Sequence, residues 1–186
     1  MNSMQYKPYT MIGSRETPEE IMDLMSDLAI ALSHEGFTVR SGGANGADKC
    51  AEEASFIEIY LPWDGFNSKY HNGFGFINYS TLGLTGEADK LCSIHHQWWA
   101  NVKKEGVKHL HRRNCHQVLG AGLKSPSLFV VCFAKPDEKR GEGHVQGGTG
   151  TAVSLALSRG IKVINLYFDG EVNEVKDWIV SMGVEK

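Results

Sequence analysis

Gln146-Gly147-Gly148-Thr149-Gly150-Thr151 is the stretch whose composition most directly suggests chemistry. An apolar run, Leu128 to Ala134, precedes it, and a helix-like run, Ala152 to Arg159, follows it. Strand, glycine-rich turn and helix start, in that order, make a phosphate cradle. Glycines let backbone N–H groups close around an anion, and the helix N-terminus adds a favourable dipole. Thr149 and Thr151 flank Gly150 with hydroxyls suited to the same oxygens. A plain tight turn that needs positive φ explains the same glycines without a ligand.

Two more polar turns follow the same logic. Gly13-Ser14-Arg15 succeeds a short apolar strand, Tyr9 to Ile12, and Ser41-Gly42-Gly43-Ala44-Asn45-Gly46-Ala47-Asp48 succeeds Phe37 to Arg40. Arg15 and Arg113 carry guanidinium forks suited to phosphate or carboxylate, with a surface salt bridge to Glu19 as the plainer role for Arg15. Lys103, Lys104, Lys108, Arg112 and Arg113 form a basic cluster near Trp98 and Trp99. That cluster is either a solvated helix face or a patch for single-stranded nucleic acid, with stacking on exposed bases. The histidines at 95, 96, 109, 111 and 116 lack the four-residue spacing of a helical zinc motif, so no metal is assigned, and no cofactor is called for.

These residues need a frame. Thr17-Pro18-Glu19-Glu20 reads as a capped helix start, with Ile21, Leu24, Met25, Leu28 and Leu32 on one face and Gly36 as the stop. A helix from Ala47 to about Ala54 and a strand from Phe56 to Leu61 come next. Residues 64–86 lack periodicity and read as an irregular lid or rim inserted into the domain. Helices are expected over Glu87–Lys104, broken by Gly106, and over Val107–Leu119. Strand Ile161–Tyr167 and helix Val172–Met182 close the chain. Alternating strands and helices predict an α/β fold. The expected form is a Rossmann-like three-layer sandwich on a mainly parallel, doubly wound sheet of at least five strands. In the order 3-2-1-4-5 the turns after strands one and four border one crevice, with the Ser41–Asp48 turn on its flank.

The whole chain of 186 residues fits one domain, and its net charge of -3 offers no global attraction to nucleic acid or anionic membrane. Four cysteines without a Cys-x-x-Cys pair read as free thiols in a reducing compartment. Met1 to Tyr9 lacks a signal-peptide core, and no apolar run approaches the ~20 residues of a membrane span. A cytoplasmic protein is expected.

Taken together, Gly13-Ser14-Arg15, Ser41 to Asp48, Arg113-Asn114 and Gly147 to Thr151 resemble a Rossmann-like superfamily. It joins the DNA-processing protein A family with the lonely-guy phosphoribohydrolases. The Ser41–Asp48 segment is similar to the first and His111-Arg112-Arg113-Asn114 with Gly-Gly-x-Gly-Thr to the second. In the phosphoribohydrolases an arginine of a His-x-Arg-Lys motif and a glutamate two residues after Gly-Gly-x-Gly-Thr act at the ribose–base bond. Arg113 matches the arginine, whereas Asn114 replaces the lysine and Val153 stands at the glutamate position. Valine cannot handle a proton. A hydrolase would need another carboxylate, from Asp48, Asp64, Asp89 or Glu142.

The resemblance implies a nucleotide-binding protein that takes a nucleoside phosphate or an ADP-ribose-like ligand. Gly13, Ser14, Arg15, Ser41, Gly42, Gly43, Asn45, Gly46, Asn114 and Gly147 to Thr151 would hold it, and Asp48 and Arg113 would act if an N-glycosidic bond were cleaved. Two other readings stand beside it. One is a single-stranded-DNA-binding recombination accessory protein; the other is a sensor or sequestering protein without chemistry. A homo-oligomer is expected, with Glu87 to Val102 as the interface.

Overall fold

The computed structural model describes residues 6–183, so the first five positions of the N-terminal reading lie outside the described residues. The order of elements is β1 (Lys7–Gly13), α1 (Glu19–His34), β2 (Phe37–Ser41), α2 (Ala47–Cys50), β3 (Ile57–Leu61) and β4 (Phe76–Asn78). Then come α3 (Thr85–His95), α4 (Glu105–Leu119), β5 (Phe129–Phe133), α5 (Gly150–Ser158), β6 (Lys162–Asn165) and α6 (Asp169–Ser181). The strands form one parallel sheet in the order β4-β3-β2-β1-β5-β6. This is the doubly wound order expected from sequence, with an added strand at one edge. It makes the chain an α/β, Rossmann-like protein.

Alternation along the strands sorts the core into two layers. Met11 and Val131 point to one side, where α1, α2 and α6 bring Leu28, Ala47 and Val175. Ile12, Val130 and Cys132 point to the other, against Cys92 of α3, Cys115 and Val118 of α4, and Val153 and Leu155 of α5. Strands buried on both faces carry apolar side chains at successive positions, which is why β5 reads as an unbroken apolar run.

The switch point falls between β1 and β5. Gly13 pairs with Phe133 in register, and the Ser14 N–H donates to the Phe133 carbonyl at 2.9 Å before the two chains part. Small residues set this closeness. A Cβ on Gly13 would lie 2.6 Å from the Phe133 carbonyl oxygen and 2.7 Å from Ala47 Cβ.

Several local expectations change. Thr17 does not cap α1: its hydroxyl donates to the Ser14 carbonyl at 2.7 Å, and the helix begins after Pro18 without a side-chain cap. The turn after β1 has claimed the hydroxyl that the capping box needed. Gly106 does not break a helix but sits in the first turn of α4, where the N–H has no intrahelical partner to lose. The helix expected to reach Lys104 ends at His95, where His96 turns extended, and a short 3-10 turn follows at Trp99–Asn101.

Residues 64–86 are not simply irregular. They contain β4, whose three residues are too few to show a period. The Asp64 carboxylate accepts from the His71 N–H and from Asn78 Nδ2, stapling the loop to that strand. Asn67 Nδ2 and Lys69 Nζ both donate to the Gly43 carbonyl, and Lys69 pairs with Glu52 at 3.1 Å. The segment therefore extends the sheet and braces the second glycine turn.

Replacing Gly13 by alanine forces a methyl group against strand backbone. We expect Gly13→Ala to cost about 1–3 kcal/mol of stability, read as a lower urea midpoint at unchanged slope.

Candidate functional site

A hollow of about 640 Å³ opens at the carboxyl ends of the strands. Gly13, Ser14 and Arg15 from the first turn line it, as do Asp48 from α2, Arg113 and Asn114 from α4, and Gly147, Gly148 and Thr149 from the glycine loop. Parallel sheets with this order place their crevice where β1 and β5 diverge. The three turns meet there.

Its floor is a buried ion pair. Arg113 Nη1 lies 3.4 Å from Asp48 Oδ2, with both side chains almost wholly enclosed. The Gly13 N–H donates to Asp48 Oδ1 at 3.1 Å. Arg113 Nη1 also donates to Asn114 Oδ1 and to Gln117 Oε1, each at 2.8 Å, and Asn114 Nδ2 donates to the Gly148 carbonyl at 2.8 Å. One network thus runs from β1 through α2 and α4 to the glycine loop. Burial pushes the Asp48 carboxyl up from its ordinary range, and the Arg113 guanidinium and the Gly13 N–H oppose that shift. Burial likewise lowers Arg113, opposed by Asp48.

Gly42 shows how the sequence permits this. A Cβ there would overlap the Arg113 guanidinium, so the second turn needs glycine to admit the arginine. Gly46 is left-handed (φ 75°), and a Cβ on it would fall 2.7 Å from Arg15 Cα. Ser41 is buried and donates to the Met11 carbonyl at 2.6 Å. Ser41, Gly42, Gly43, Asn45 and Gly46 therefore do not line the hollow. They shape the turn that holds Asp48. Asn45 is exposed, and the Gly43 carbonyl is taken by Asn67 and Lys69.

In the glycine loop, each glycine has a different status. Gly147 is left-handed (φ 74°), and a Cβ on Gly150 would meet the Val145 carbonyl at 2.7 Å. Gly148 has neither constraint: open space surrounds its missing side chain. The N–H groups of Gly147, Gly148 and Thr149 have no hydrogen-bond partner among the described residues. Thr151 is buried, and its hydroxyl contacts His111 Nδ1 at 2.9 Å, so neither Gly150 nor Thr151 lines the hollow. The part of the loop that lines the hollow is narrower than expected, ending at Thr149.

At the mouth stand Arg15 and Lys135, both exposed and without an ion pair among the described residues. Glu16 stands with them, and its N–H donates to Ser14 Oγ. The expected Arg15–Glu19 bridge is not formed. Lys135, Glu16, Gln117, Gln146 and His111 were missed as lining residues. Lys135 and Gln146 bracket the apolar strand and the loop, so their positions beside a known turn were the available signal.

The basic cluster is split: Lys103 and Lys104 are exposed and Lys108 is half-buried, whereas its two arginines are not solvated. Arg112 is buried between Asp89, at 2.7 Å, and Glu105. Arg113 is committed to Asp48. Trp99 is half-buried against His96 and His111, leaving Trp98 exposed. Of the carboxylates considered for catalysis, Asp64 staples its loop and Asp89 holds Arg112. Glu142 is exposed outside the hollow. Val153, at the glutamate position of the phosphoribohydrolases, is wholly buried in the core.

The turns that meet here lie partly in a stretch that matches a family model. Residues 1–59 match the model of the DNA recombination-mediator protein A family. Gly13-Ser14-Arg15 and Ser41 to Asp48 fall inside that match, and the α4 and glycine-loop motifs fall beyond it. No curated protein matches the chain. A solved structure of DNA processing protein A from Helicobacter pylori, described for its single-stranded DNA binding mode, aligns with 95% of this chain and 80% of its own. The identity is 14% and the TM-score 0.39. No helix among the described residues is long and apolar enough to cross a membrane.

Burial makes one pH effect legible. Loss of hydration lowers His111 and His116 from 6.5 to about 4, so the fold holds both neutral. Between these values the unfolded chain binds protons that the folded chain refuses. Each shift stabilises the fold above pH 6.5, and its contribution is lost as pH falls toward 4. The loss is on the order of 3 kcal/mol per histidine. Urea midpoints recorded from pH 7 to pH 4 should fall across that window. Breaking the floor pair is the second test. Arg113→Met strands a buried carboxylate and should cost about 3–5 kcal/mol, with Asp48→Asn in the same chain restoring part of the loss in thermal melts.

Proposed function

We propose that the hollow binds a nucleoside phosphate and that the protein acts by holding it, not by cleaving it. The observation that carries this is the set of unpartnered N–H groups at Gly147, Gly148 and Thr149, residues that line the same hollow as the unpaired Arg15. Successive free amides at a helix start, beside a guanidinium, are an anion site. The floor adds no net charge, because Asp48 offsets Arg113. It offers hydrogen-bonding groups to the sugar and base. Of the carboxylates weighed for bond cleavage, Asp48 lines the hollow but is paired there with Arg113, and Asp64, Asp89 and Glu142 lie outside it, so none of the four stands free to attack or protonate a glycosidic bond.

The family match favours a second reading of where the phosphate comes from. With residues 1–59 matching the model of the DNA recombination-mediator protein A family, the phosphate is more naturally one link of a single strand of DNA than part of a free nucleotide. The protein is then an accessory factor in DNA recombination. Its contact with the strand runs through the hollow, since Arg112 and Arg113 are held in ion pairs and are not available to phosphates. The overall charge of -3 suits a local contact of this kind.

Calorimetric titration with dTMP, AMP, ADP-ribose and a ten-residue oligo-dT tests both readings. Arg15→Ala should weaken every ligand that binds by about tenfold or more, while stability moves by no more than about 0.5 kcal/mol. Gly148→Val should abolish binding and leave the fold intact, because the added side chain meets nothing but ligand. Binding of none of the four by the unaltered protein defeats the phosphate reading. Free base released from any of them defeats the non-hydrolytic one, and tighter binding of oligo-dT than of any mononucleotide selects DNA.

A further inference from the structure

The glycine loop has a second face. It borders a smaller hollow of about 150 Å³ that shares Gln146 and Gly147 with the larger one. His96, Trp98, Asp137 and Arg140 line its far side. Trp98 is 61% exposed and makes none of the ring contacts that engage Trp63, Trp99 and Trp178. Its backbone is nonetheless held: the Trp98 N–H donates to His96 Nδ1, and the Trp98 carbonyl accepts from the Asn101 N–H. An indole on a fixed backbone, beside a hollow, is a stacking platform.

Arg140 supplies the charge. Its Nη2 donates to the His95 carbonyl at 3.2 Å and to Ser154 Oγ at 3.3 Å. These bonds fix the guanidinium without neutralising it, since both acceptors are uncharged oxygens and Arg140 has no ion pair among the described residues. Arg140 Nη1 approaches the glycine loop, 3.8 Å from where a Cβ of Gly150 would stand.

We propose that this smaller hollow is a second nucleotide subsite. Trp98 stacks on the base and Arg140 faces the phosphate of a unit joined, through a phosphodiester, to the nucleotide in the larger hollow. The inference rests on the phosphate reading above and specifies the ligand: at least two linked units, laid across the ridge of Gln146 and Gly147. The Asp137 carboxylate also lines this hollow and is not paired with Arg140, so stacking supplies most of the gain from the second unit. A sequence-tolerant contact follows, because every base has a π-face.

The test compares dTMP with 5′-phosphorylated dithymidylate, pdTpdT, by calorimetry on the unaltered chain, Trp98→Ala and Trp98→Phe. The unaltered chain should bind pdTpdT at least about fivefold tighter than dTMP. Trp98→Ala should lose that gain with dTMP affinity unchanged, and Trp98→Phe should keep most of it. Equal affinity for the two ligands, a gain that Trp98→Ala retains, or an equal loss of both overturns the subsite while the phosphate reading stands. Failure of the unaltered chain to bind either ligand overturns both.

Discussion

Everything at the carboxyl edge of this sheet depends on one buried ion pair. Asp48 and Arg113 lie 65 positions apart in sequence, yet each is enclosed by the other's neighbours. A lone buried charge is costly, whereas a paired and hydrogen-bonded one is tolerated. The Gly13 N–H supports the pair at Asp48 Oδ1, and Asn114 and Gln117 support it at Arg113 Nη1, while Asp48 Oδ2 and Arg113 Nε rely on the ion pair itself. The end of β1, the start of α2 and the middle of α4 therefore cannot separate without leaving a charge unpaired. Asn114 then carries the constraint to Gly148. The glycine loop is positioned by a network that begins at the opposite wall of the hollow.

This arrangement separates two tasks that the same residue types often share. The deep arginine is structural and electrically cancelled, and the shallow cations, Arg15 and Lys135, are free. On the proposed reading, a site built this way would take an anion at its mouth and main-chain amides and present polar, net-neutral groups below. Hydrolysis at a ribose–base bond asks for the reverse, a free acid deep in the site. Val153 is packed among Ile12, Cys115, Val118 and Val130, where an ionised glutamate would have to be desolvated inside the core.

Much of the frame was legible because the signals were long and redundant. The apolar run of β5, the 3.6-residue face of α1 and the three glycine turns each agree with the others on a doubly wound sheet. Individual roles were less legible. Thr17 looked like a cap because its neighbours suit one, but its hydroxyl serves a carbonyl that only the turn geometry brings near. Arg112 and Arg113 looked solvated because five cations cluster in sequence, while the carboxylates that enclose them come from α2, α3 and the start of α4. β4 was invisible because three residues cannot show a period, and its pairing is contributed by β3.

By itself the sequence determined the α/β class, the order of the central strands and the meeting of the turns after β1 and before α5. These follow from local periodicity, from glycine placement and from the handedness of crossovers. Tertiary structure alone decided which glycines make room for protein and which face open space, and which arginine is spent on Asp48 and which is free. The reason is physical. Desolvation and pairing are properties of neighbours distant in the chain, and no run of residues carries them.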